Sequence, residues 1–103
     1  MIVLKFGGSS VADATRISGV LDIVESRAAK DRVILVSSAI SGCTDALLSR
    51  DAEKIAVLRE RHRAIIRRLF TSEDRDAALR ECDAIFEEIA ALPPTVEAYG
   101  EVL

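Results

Sequence analysis

Tryptophan is absent from this sequence, and with one Tyr and three Phe the aromatics make up only 4% of its 103 residues. A surface on which the bases of single-stranded nucleic acid stack needs several such rings. A basic excess is missing too. The formal net charge is -3, which argues against a nucleic-acid binder. No apolar run approaches the roughly 18 residues that a bilayer-crossing helix needs. Met1 to Leu4 is apolar, but Lys5 follows at once. A secretory leader needs basic residues first and then a longer apolar stretch. Cys43 and Cys82 are the two cysteines, and they form neither a disulfide framework nor a metal-ligand spacing. A reducing, cytoplasmic setting is the simplest expectation. The remaining composition, 50% hydrophobic and 30% charged, is that of an ordinary globular domain. The length suits one compact domain.

Glycine and charge divide the chain. Residues 1–50 hold four of the five glycines and are nearly neutral, with six Lys/Arg against five Asp/Glu. Residues 51–103 hold eight basic and twelve acidic residues. Ile2-Val3-Leu4 reads as a buried strand ended by Gly7-Gly8. Ser10, with Asp13 three residues later, resembles a capping box for a helix from about Val11 to Ala29. Its apolar stripe is Ile17, Val20, Leu21, Val24 and Ala28. Val33 to Val36 is a second apolar strand, closed by Ser37-Ser38 and by a turn at Ser41-Gly42. This β-α-β order predicts two parallel strands.

Beyond residue 50 the period is helical. Ile55, Leu58, His62, Ile65 and Leu69 form one stripe; Ala78, Cys82, Ile85, Ile89 and Leu92 form the next, after a cap at Thr71. Two such helices with a short link are expected to pack antiparallel. Their charges are complementary: residues 53–68 carry six basic and two acidic side chains, residues 73–88 two basic and seven acidic. The arginines therefore read as a solvated face opposite an acidic partner, not as a nucleic-acid patch. His62 and Cys82 read as packing residues of this hairpin, and no metal site is expected. Pro93-Pro94 stops the second helix, and Thr95 starts another. The divisions are thus 1–50 (β-α-β loops), 51–92 (hairpin) and 93–103 (start of a last helix).

The segment richest in chemistry is Lys5-Phe6-Gly7-Gly8-Ser9-Ser10. It places a cation at the carboxyl end of the first strand, then two glycines, then a helix start. Glycine lets the backbone come close to a ligand, and the N–H groups of such a loop form an anion site. Ligands of open α/β sheets bind at the carboxyl ends of strands. Residue types and position therefore agree on phosphate, although neither standard phosphate-loop pattern is present. A plain strand-turn-helix with a solvated Lys5 is the rival reading.

The string KFGGSS followed by Val11 closely resembles the signature that opens aspartokinases, of the amino-acid kinase family. Val36-Ser37-Ser38-Ala39 with Thr44-Asp45, and then Gly100-Glu101, resemble that family's next landmarks in the same order. The resemblance implies a three-layer α/β/α kinase domain. The 103 residues would be its amino-terminal part, with the 51–92 hairpin as a variable insertion. It implies transfer of the ATP γ-phosphate to the L-aspartate side-chain carboxylate, in biosynthesis of lysine, threonine and methionine. ATP is then a co-substrate, and Mg²⁺ accompanies it on ligands mostly outside this chain. Lys5 would be catalytic. Lys5, Gly7, Gly8 and Ser9 would hold phosphate; Ser38, Thr44 and Glu101 would hold aspartate. The family's kinase domain continues past its Gly-Glu helix, so these residues alone are expected to lack turnover. The bland alternatives are a turn-capping Ser38, a helix-capping Thr44 and a surface Glu101. At the level of the chain, the alternative is a non-catalytic phosphate-ligand binder or hairpin interaction module, in which an exposed sheet edge favours a homo-oligomer.

Overall fold

In a computed structural model of the chain, residues 1–92 are described. They form two compact units, Met1–Ser41 and the part from Gly42 onward.

The first unit is the expected β-α-β arrangement. Strands β1 (Ile2–Phe6) and β2 (Val33–Ser37) are parallel, with Leu4 opposite Leu35 and Phe6 opposite Ser37. Both are runs of β-branched and aliphatic residues, which suit a pleated surface. Along β1, half-buried Ile2, Leu4 and Phe6 alternate with exposed Val3 and Lys5, the period of two that a strand imposes. A short 3-10 turn (Gly8–Val11) leads to helix α1 (Ala14–Ala28), which packs against β2.

The helix start differs from the reading of Ser10 as its cap. Asp13 is the N-cap, and its carboxylate accepts the Arg16 N–H at 2.9 Å. The 3-10 turn consumes residues 8–11, so the first free cap position falls after it, at a side chain well suited to the role. Val20 and Ala14 are buried, whereas Leu21 of the anticipated stripe is 49% exposed.

The second unit holds α2 (Cys43–Ser49), α3 (Ala52–Leu69) and α4 (Ser72–Ala91). Asp51 caps α3 by accepting the N–H groups of Glu53 and Lys54. Thr71 occupies the N-cap of α4 as expected, but its hydroxyl donates to Asp74 and does not accept from the backbone. The α3–α4 hairpin closes on Leu58, Cys82, Phe86 and Ile89, all buried. Phe86 takes the place expected of Ile85, which is 47% exposed. A shift of one residue is about 100° around a helix, and the larger ring fills the interface. His62 packs edge-on against Phe86, with ring centres 5.5 Å apart, and its Nδ1 lies 2.9 Å from the Leu58 carbonyl. The complementary charges meet at Asp83 on α4, which receives Arg59 at 2.9 Å and Arg63 at 2.5 Å.

Candidate functional site

The parallel register brings the carboxyl ends of β1 and β2 side by side, so the loops that follow them adjoin. The Ser38 N–H donates to the Phe6 carbonyl at 3.0 Å, extending the ladder by one bond. Beyond Phe6 the chain passes through Gly7, extended with φ -81° and ψ 174°. The Ser10 N–H returns to the Gly7 carbonyl at 3.0 Å. Residues at the start of such a turn have no acceptor within it, which leaves the N–H groups of Gly8 and Ser9 for other partners.

Gly8 lies against the loop after β2. A Cβ placed on it would stand 3.2 Å from the Ala39 carbonyl oxygen and 3.4 Å from Ser38 Oγ. The small residue is therefore needed here for a close approach of two backbones. Lys5, Gly7, Gly8, Ser9 and Ser38 thus share one end of the sheet in the first unit. Lys5, Ser9 and Ser38 are exposed. The Ser38 hydroxyl donates to the Ala39 carbonyl at 2.9 Å. To bind a carboxylate it has only to rotate its proton outward. Arg16, from the first turn of α1, donates through Nη1 to the Ser9 carbonyl at 3.3 Å.

Thr44 belongs to the second unit, in the first turn of α2, and is exposed. It is not a cap, because Gly42 occupies that position with φ +82°. Only glycine takes such a backbone without strain. Glu101, Gly100 and Thr95 lie outside the described residues. A groove of about 460 Å³ runs between α2 and α3, lined in part by Asp45, Lys54, Val57 and Arg61.

Cys43 is buried at the start of α2. Its sequence neighbours offer no cation, but in space Arg61 faces it. Burial still dominates and pushes the thiol above its ordinary value, with Arg61 opposing in part, so Cys43 is not an activated nucleophile. Cys82 is likewise raised, mainly by burial and then by Asp83. Among the described residues no three His, Cys, Asp or Glu side chains converge to hold a metal ion. Among them, too, no helix is long and apolar enough to cross a membrane.

Sequence reasoning passed over Arg16, and it read Arg61 only as part of a solvated face. Each acts across a turn or between helices, at separations that no local motif marks. For Arg16 a signal was present: it stands three residues after Asp13, where a capped first turn directs its side chain back toward the loop.

Comparison with known proteins bears on this geometry. A family model described as "Amino acid kinase family" matches residues 1–94. An aspartokinase from Mycolicibacterium smegmatis is 51% identical over 49 residues, which are 47% of this chain and 12% of that relative. The match thus spans about an eighth of the relative's length.

Proposed function

The chain belongs to the amino acid kinase family, and from that premise we propose that it carries the amino-terminal part of an aspartate kinase catalytic domain. The reaction is transfer of the ATP γ-phosphoryl group to the side-chain carboxylate of L-aspartate, in synthesis of the aspartate-derived amino acids. The observation that carries this reading is the juxtaposition of the KFGGSS loop with Ser38, made by Gly8 lying against the Ser38-Ala39 backbone. A phosphate-holding loop and a hydroxyl suited to an amino-acid carboxylate then sit at one sheet end. The 51% identical segment of an aspartokinase supports the choice of aspartate.

The chemistry asks little of general bases. A carboxylate nucleophile is already ionised at neutral pH, so catalysis rests on positioning and on charge stabilisation. Lys5 neutralises charge on the transferred group and the leaving oxygens. The N–H groups of Gly7, Gly8 and Ser9 hold phosphate oxygens, and the Ser9 hydroxyl adds a donor. Ser38 donates to an aspartate carboxylate; the resemblance to aspartokinases is what adds Thr44 for the carboxylates and Glu101 for the ammonium. Mg²⁺ accompanying ATP would supply further charge neutralisation, on ligands expected mostly outside this chain.

Calorimetric titration of the chain with ATP tests the phosphate site. Binding that is lost in Lys5→Ala is the expected result. Binding that survives the substitution unchanged removes Lys5 from the site. We expect no aspartyl phosphate from the 103 residues alone. Its formation by the purified chain would contradict that expectation.

A further inference from the structure

We propose that Arg16 is a positioning residue for the phosphate-holding loop. By fastening the Ser9 carbonyl, it sets the Ser9–Ser10 peptide so that the N–H groups of Gly8 and Ser9 stay aimed at phosphate oxygens. This inference rests on the phosphate-site reading above.

The geometry holds one peptide unit at both ends. The Ser10 N–H donates to the Gly7 carbonyl at 3.0 Å. On the other side of the same unit, the Ser9 carbonyl accepts from Arg16 Nη1 at 3.3 Å. A peptide is planar, so fixing its N–H and its C=O fixes the plane. The orientation of the residues before it follows. Arg16 is itself anchored, because its own N–H donates to the Asp13 carboxylate at 2.9 Å. One residue therefore bonds twice, through its backbone to the helix cap and through its side chain to the loop. The brace spans the gap between the 3-10 turn and α1.

The need for a brace comes from Gly7 and Gly8. Two consecutive glycines allow the close approach to Ala39, but they lose more conformational freedom on ordering than any other residue. An external bond that restricts the loop lowers the ordering cost left for the ligand. Among the described residues Arg16 forms no ion pair with a carboxylate, so its charge is also not neutralised locally. The side chain is exposed, and the expected effect is correspondingly moderate.

Nitrogen-15 NMR of the full 103-residue chain, titrated with ATP, tests the inference. In the unsubstituted chain ATP shifts the Gly8 and Ser9 amides. Arg16→Ala weakens that response by about fivefold and speeds hydrogen exchange at the Ser10 amide without ligand. Arg16→Gln, which keeps a donor but no charge, recovers most of both. If the unsubstituted chain shows no response at Gly8 and Ser9, the phosphate-site reading falls and takes this inference with it. If it responds and Arg16→Ala matches it in affinity and in Ser10 exchange, the role of Arg16 alone is overturned.

Discussion

In the proposed reaction, Lys5 is the residue on which the chemistry depends most. A preorganised charge aimed at a developing negative charge is worth about a hundredfold or more in rate. Lys5→Ala is therefore expected to lower turnover by at least about a hundredfold in any kinase assembled from these residues, with melting temperature unchanged. Steady-state kinetics and a thermal melt check both halves. Gly8 makes a different demand. Gly8→Ala puts a methyl 3.2 Å from the Ala39 carbonyl, so the loop backbone must move by a few tenths of an ångström. The expected outcome is weaker ATP binding with the fold retained, read by calorimetry and circular dichroism. Cys43 gives a third test. Burial raises its thiol above the ordinary value, so alkylation at neutral pH is expected to be slower in the folded chain than in urea. Equal rates would show the thiol to be accessible and ionised.

At the scale of helices, caps and ion pairs decide most. Asp13→Ala removes the N-cap of α1 and is expected to cost about 1 kcal/mol, measurable by urea denaturation. It also frees Arg16, so the loop loosens with the helix. In the hairpin, Asp83 is held below the usual carboxylate range by the hydrogen bond from Arg63, with Arg59 adding to it. A carboxylate whose folded value is depressed stabilises the fold above its unfolded value of about 3.9. That stabilisation fades as pH falls through the lower folded value. Asp83→Asn should therefore lower the melting temperature at pH 7, and the difference from the unsubstituted chain should narrow as the pH falls below the usual carboxylate range. A constant difference across that range would mean that the ion pair contributes nothing.

The helices also mark where local pattern stops being informative. Spacing of three and four places α3 and α4, because apolar stripes follow the helical period directly. It does not decide between Ile85 and Phe86, since that choice depends on which side chain fills the gap beside His62. The apolar runs of β1 and β2 and their parallel order are legible because a strand-helix-strand chain has few ways to close. The 3-10 turn is not, because Gly8 to Val11 satisfies a helix start equally well on composition. The contact of Gly8 with Ala39 and the bracing bond of Arg16 are tertiary and have no local signature.

For the molecule as a whole, the KFGGSS loop and Ser38 share one compact unit, and Thr44 lies on a helix of the other. Four exposed apolar side chains of the sheet, Val3, Ile34, Leu35 and Val36, belong to the unit that carries the loop. The segment resembling aspartokinase motifs is the part where sequence was most informative about function, since Lys5, the two glycines and Ser38 sit at strand ends that the topology aligns. The hairpin from Ala52 to Ala91 carries helix-forming pattern and charge pairing, but no site chemistry legible from sequence. Its buried thiol and its histidine pack.

The most direct test of the central claim is a chimera in which residues 1–50 of this chain replace the matching segment of the Mycolicibacterium smegmatis aspartokinase. Aspartyl phosphate is trapped as its hydroxamate and measured. The predicted result is ATP- and aspartate-dependent product in the chimera, lost on Lys5→Ala. A folded chimera without that product, or one whose activity ignores the Lys5 substitution, would contradict the account.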